Sequence, residues 1–309
     1  MLTVIGLTAI VAALCAVWLA VRIRSMVGVW TACQAWNWMT VALLVVLLHA
    51  ILSLPLLKVS SVVTSAIAYF STTMLLTPLV TLPGARRPGI AAWHWFVVLP
   101  MVVVLQSPAI SQLFGSQGRA PIELTAPATM GVVVVLILSA GTSLGKRSAG
   151  VVLVHSSAIL LLLASAAGFA SAQFPATAFA PILMLAALWI ARRNLDGHLT
   201  RLRTATTASQ RTKAVVEMFS SLYGFAWTRR VQDRINQFAP GEQWTVRLTA
   251  AGFQRPDGDL PSDKELQRPL GAFIWVLTRF ADEGWLRKVL NPQNPDDPAN
   301  PHNPVVQSS

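Results

Sequence analysis

Apolar residues in this chain gather into seven long stretches, at about 2–21, 34–54, 60–82, 94–114, 127–144, 150–170 and 175–191. A helix needs about 20 apolar residues to cross the hydrocarbon core of a bilayer. None of the seven carries Asp, Glu, Lys or Arg in its interior. Each such residue at a span centre would cost ~2.5–3.5 kcal/mol on insertion. The pattern predicts an all-α membrane protein, with a seven-transmembrane-helix bundle over residues 1–193. The fifth and seventh stretches are the shortest, and the seventh contains Pro181.

Past residue 193 the pattern changes to that of a small, mainly helical domain over residues 194–290. Leu195–Lys213 is polar with leucines spaced for one face. Across Ala214–Phe238, Val216, Phe219, Tyr223, Trp227, Val231, Ile235 and Phe238 recur every three or four residues, the period of an amphipathic helix. Pro240-Gly241 ends it. Trp244, Val246 and Leu248 alternate with polar residues and predict a short strand. Gln254–Asp263 reads as a turn-rich loop, and Arg268–Phe280 and Asp282–Leu290 as two short helices. The Asn/Pro-rich residues 291–309 predict a disordered tail. The Ala214–Phe238 helix suits either a bilayer surface or a domain core. Trp244, Trp275 and Trp285 downstream need something to pack against, which favours the core.

Composition agrees with this division. Charged residues are 12% of the chain, against about 25% in soluble proteins. Residues 1–191 hold eight Lys/Arg and one acid, Glu123; the remainder hold sixteen and twelve. In the first part the cations fall in the loops. Arg22 and Arg24, Arg86 and Arg87, and Lys146 and Arg147 alternate with the weaker Lys58 and Arg119 loops and with an uncharged sixth loop. Under the positive-inside rule the N-terminus is outside, and the tail, opening on Arg192 and Arg193, is cytoplasmic. No basic residue precedes the first apolar run, the reverse of a cleavable signal peptide. Trp18, Trp30, Trp36, Trp38, Trp93, Trp95 and Trp189 all fall at the inner side in this topology, where an indole finds both apolar and polar surroundings. The expected location is a bacterial cytoplasmic membrane. Orientation and lipid headgroups account for the basic charge, so nucleic acid is not an expected partner.

Candidate chemistry is sparse. His94 and His155 both fall in inner halves of spans, at a depth open to haem ligation; an interfacial ring and a hydrogen-bonded buried ring are the simpler expectation. His49 lies too far outward to join them. Gly141–Gly145 matches G-x-S-x-G, but it ends a membrane helix, whereas a nucleophile elbow needs a strand before it. A close helix contact through Gly141 and Gly145 is the expectation there. The third span is rich in hydroxyls. Thr64 and Thr72, with Gln106 of the fourth, form a candidate passage lining, set against ordinary interhelical hydrogen bonding. Arg86, Arg87, Trp93 and Trp95 are candidate inner-face contacts to lipid or to a protein partner. Cys15 and Cys33 suggest neither metal nor disulfide, and no cofactor is expected.

Two blocks carry a resemblance: Leu82-Pro83-Gly84-Ala85-Arg86-Arg87-Pro88-Gly89 with Trp93 to Pro100, and Phe225-Ala226-Trp227-Thr228-Arg229-Arg230 with Trp244 to Phe253. On these the chain resembles an uncharacterised family of bacterial multi-pass membrane proteins. The resemblance implies the architecture and brings no established activity. The expected function is a non-catalytic scaffold or accessory subunit docking a membrane or cytoplasmic partner. A permease for a small neutral or amphipathic solute and a haem-bearing redox subunit are the alternatives. With the tail cytoplasmic, a periplasm-dependent phosphatase fused after Arg193 is expected to be inactive; an active fusion overturns the count of seven.

Overall fold

The computed structural model describes residues 2–87, 89–114, 121–143, 148–169 and 176–291. Arg119, Lys146, Arg147, the sixth loop around Ala172–Phe174 and the expected disordered tail from residue 292 lie outside them. The described chain is dominated by helices: α1 (Leu2–Met26), α2 (Cys33–Leu52), α3 (Ser61–Thr81), α4 (Ile90–Leu105), α5 (Ser107–Phe114), α6 (Ala126–Ser143), α7 (Ala149–Ala166), α8 (Ala176–Thr204) and α9 (Ala208–Phe238). A two-stranded hairpin follows, β1 (Arg247–Thr249) and β2 (Gly252–Gln254), then α10 (Asp263–Leu277) and α11 (Glu283–Leu290). Among the described residues six helices are long and apolar enough to cross a membrane, or seven if α4 and α5, bent by 45° at Gln106, count as one span. The protein is thus of the all-α class with several candidate membrane helices.

The chain divides into two compact units. The first holds residues 1–28 and 32–194, the second Val29–Thr31 and everything from Leu195.

In the first unit α3 is the hub. From Ser71 to Pro78 it is buried on every side, and α2, α5, α6 and α7 all pack on α3. Tyr69 and Ala68 meet Ala109 of α5, Ile122 and Ala166 of α7. Ala9, Ala50 and Ala178 form a second small-residue contact between α1, α2 and α8. Outward side chains such as Leu7, Val11, Leu48, Ile137 and Leu153 are exposed, which an apolar solvent tolerates and water does not.

In the second unit α9 is the spine. Thr207 caps it through a reciprocal hydrogen-bonded pair with Gln210. Val215, Phe219, Tyr223, Val231 and Ile235 are buried along it, so the helix serves as a domain core. It begins at Ala208, earlier than the expected 214, because α8 runs on to Thr204 and absorbs most of the Leu195–Lys213 segment. The spine breaks at Gly224, whose φ of 83° lies in the left-handed region, open to glycine at little cost. The hairpin is held by Asn236: its amide donates to the Leu248 carbonyl at 3.0 Å and accepts from the Leu248 N–H at 2.8 Å. Strand β2 pairs Phe253 opposite Leu248 and takes only its last residue, Gln254, from the expected loop. Phe253, just before that loop, is buried against α10, its ring 6.0 Å from that of Phe273.

Helix α10 starts five residues before its expected Arg268, at a closed polar clasp. Ser262 donates from its hydroxyl and its N–H to Glu265 at 2.6 and 2.8 Å, and Arg255 grips the same carboxylate at 2.7 Å. The Arg255 guanidinium, then the Ser262 hydroxyl and N–H, draw the Glu265 carboxyl down to about 2. A depressed carboxyl stabilises the fold above its unfolded value, about 4.3, and that contribution fades as pH falls toward about 2. Thermal unfolding followed by tryptophan fluorescence is expected to lose stability across that window. Glu265→Gln is expected to be less stable at neutral pH and to lack this acid step.

Candidate functional site

Two groups of residues stand out, one within the apolar helices and one in the second unit. The first surrounds the middle of α3. A hydroxyl inside an apolar bundle needs an acceptor, and the nearest is the carbonyl one turn back. Ser71 donates to Ile67 at 2.8 Å, Thr72 to Ala68 at 3.0 Å, Thr73 to Phe70 at 3.0 Å and Thr77 to Met74 at 2.7 Å. Thr77 has a particular task. Pro78 has no N–H to give the Met74 carbonyl, and the Thr77 hydroxyl serves that carbonyl instead.

Gln106 sits at the bend between α4 and α5. Pro108 denies an N–H to the preceding turn and restricts Ser107, while the Gln106 N–H is shared between the Val102 and Val103 carbonyls at 3.0 and 3.2 Å. Its side-chain amide, buried at the break, donates to the Thr73 hydroxyl. A second irregularity precedes it. Pro100 withholds a donor from the turn before it, and His94–Val98 is wound as a π-helix. From α7, His155 is 3% exposed and its Nε2 meets the Leu75 carbonyl at 2.9 Å. Gln106, Thr73, Leu75 and His155 thus tie three helices to one short stretch of α3.

Of the candidate passage residues, Gln106 meets Thr73 rather than Thr72. Thr64 donates to Ser60 at 3.1 Å, two turns or about 12 Å of helix from Thr72. Of the candidate haem ligands, His155 spends one ring nitrogen on α3, and His94 lies half-buried against Trp38, ring centroids 6.1 Å apart. Among the described residues no three or more His, Cys, Asp or Glu side chains gather in a metal-binding group. Gly141 has nothing within 4 Å of where a Cβ would stand. The close helix contact expected there is not made by Gly141 in this chain, and Gly145 lies outside the described residues.

At the α3–α4 turn, Trp93 folds back and donates from its indole to the Val80 carbonyl at 2.9 Å. A Cβ on Gly84 would lie 2.1 Å from the Trp93 ring, so only glycine permits this closure. Arg86 and Arg87 are exposed on the turn, and Trp95 is 68% exposed.

The second group was not foreseen from sequence. Val29, Trp30 and Thr31, in the short connection from α1 to α2, are part of the second unit. Thr31 donates its N–H to the Phe280 carbonyl at 2.7 Å, and Asp282 donates its own to Val29 at 2.8 Å, making an antiparallel bridge between Trp30 and Ala281. The Trp30 ring is 1% exposed. Trp285 lies edge-on to it at 5.2 Å, and Tyr223 and Phe219 lie tilted to it at 6.2 and 6.3 Å. The Tyr223 hydroxyl joins Thr31 Oγ1 at 2.8 Å and the Phe280 carbonyl at 3.0 Å. Three residues are too few for a period to show, and a lone Trp beside a membrane span reads as an interfacial anchor.

No known protein family, curated protein or solved structure matches this chain. Its own residues therefore carry the functional argument. For the group within the apolar helices, a double-mutant cycle of Gln106→Leu with Thr73→Val, read by unfolding in mixed micelles, is expected to give a coupling of about 0.6 and below about 1.7 kcal/mol, the range for such bonds between membrane helices. Coupling near zero would show that the amide does not tie α3 to the bend.

Proposed function

We propose that the chain is a seven-span, non-catalytic anchor in a bacterial cytoplasmic membrane, N-terminus outside, carrying a cytoplasmic docking domain for a protein partner. The observation that carries this reading is the completion of the second unit by Val29–Thr31. The domain is fastened to the chain at two places far apart in sequence, which suits a part that must be held rather than tethered loosely.

The same observation supports the count of seven. The chain joins the second unit between α1 and α2 and again from Leu195, near the end of α8. These two junctions share one membrane face only if an even number of crossings separates them. The helices α2, α3, α6, α7 and α8 make five, and the bent pair α4–α5 makes the sixth. The alternating loop charge favours the cytoplasm for that face. Internal bonding of the hydroxyls of α3, the Gln106 amide and His155 also favours a structural use of these groups over a displayed binding site.

Trp30→Ala is expected to cost the second unit about 3–5 kcal/mol, as for other buried aromatic truncations, while the membrane helices still insert. Gentle extraction of the unaltered chain is expected to yield an assembly larger than the monomer, lost in the Trp30 variant. A partner-free monomer in mild detergent sinks the docking reading.

A second reading, a permease for a small neutral solute, draws on the bent pair α4–α5, since interrupted helices line polar passages in transporters. Unchanged uptake of candidate solutes in Thr72→Leu and Gln106→Leu cells removes its motivation.

A further inference from the structure

The outer side of α9, beyond Gly224, carries a row of alternating rings and guanidinium groups. Arg230 lies over Trp227 at 5.0 Å, and Arg234 over Phe238 at 4.9 Å. These positions follow the three- and four-residue spacing of one helix face. The row continues onto the end of α10. Phe238 meets Trp275 edge-on at 6.0 Å, and Arg279 lies over Trp275 at 5.6 Å. All three arginines are exposed, and Trp275 is 38% exposed. The carboxylate within the row, Asp233, pairs with Arg229 at 3.1 Å.

This surface is continuous with the place where Val29–Thr31 inserts. Trp227 packs edge-on against Phe280 at 5.2 Å, and the Phe280 carbonyl is the one that receives the Thr31 N–H. Val27 and Gly28 alone separate that segment from α1, and Ala32 alone from α2.

We infer that the face formed by Trp227, Arg230, Arg234, Phe238, Trp275 and Arg279 docks onto the headgroup layer of an anionic bilayer. The inference rests on the reading of the chain as membrane-spanning. Two features point to lipid rather than to an acidic protein segment. Each cation lies against a ring, which suits a layer offering phosphates to guanidinium groups and an apolar boundary to indoles. The face also borders a segment joined within two residues to candidate spans, so anionic headgroups are the charged species the chain brings nearest. Basic residues beside such a surface each add about fivefold to the affinity, and salt weakens them.

The test uses the full-length chain with a photo-crosslinker, Trp275→p-benzoylphenylalanine, reconstituted in vesicles of phosphatidylcholine alone or doped with phosphatidylglycerol. A lipid adduct at position 275 is expected in the anionic vesicles. It should fall about fivefold for each of Arg230→Gln, Arg234→Gln and Arg279→Gln, and should survive the corresponding changes to Lys, which keep charge and fold. The same label at Leu260, exposed but off this face, is expected to give no adduct. Equal adducts in both vesicles, no adduct at 275, or crosslinks to a protein instead of lipid in native membranes each overturn the inference. The label at Trp95 separates the two ideas. An adduct at 95 without one at 275 ends this inference alone, and none at either position ends the membrane reading itself.

Discussion

The short antiparallel bridge between Trp30 and Ala281 is the contact on which most of the remaining architecture depends. It places a side chain from the connection between the first two helices at the centre of the second unit's aromatic cluster. Hydrophobic burial supplies the bulk of the attraction, and offset or edge-on rings add about 0.5–1.5 kcal/mol per pair. The backbone bonds at Thr31 and Asp282 fix the register that brings the indole to its place. Without that register the ring would have no unique seat, since aromatic surfaces alone are not directional. Tyr223 completes the arrangement by joining the inserted Thr31 to the Phe280 carbonyl with one hydroxyl.

In the apolar helices the governing constraint is different. A polar group surrounded there by apolar side chains costs free energy unless it finds a partner within the protein. Ser71, Thr72, Thr73 and Thr77 of α3 find theirs one turn back, and Pro78 would leave a carbonyl without a donor had Thr77 not stood beside it. The break at Gln106 is handled the same way, with the side chain bonding the neighbouring helix where the backbone departs from regularity. In three dimensions the hydroxyls of Ser71, Thr72, Thr73 and Thr77 each donate to a carbonyl of their own helix.

Much of the fold was legible because its signals are long. Apolar runs of about 20 residues fall on the long apolar helices, with the end of α8 the exception, and the spacing from Val216 to Phe238 falls on the spine of the second unit. The misplacements came where a signal was short or shared. Polar residues past 191 hid the continuation of α8 to Thr204, since a helix can lose its apolar pattern without losing its backbone hydrogen bonds. Strand β2 is three residues long, below the length at which alternation shows. The sites were less legible still. Gln106 was visible as a polar residue in an apolar run, but its partner depends on which α3 hydroxyl the bend presents. Trp30 was visible only as a tryptophan near a span, and nothing local reveals a contact made with residues near the far end of the chain.

That distance has a consequence for biogenesis. Thr31 and Tyr223 are 192 residues apart, and a ribosome adding roughly 5–20 residues per second needs on the order of ten to forty seconds to travel between them. Throughout that interval Trp30 is synthesised but has no partner. It finds its seat only after the intervening helices have been made and the last aromatic residues have emerged. The second unit therefore closes late, only once both of its separated pieces of chain exist.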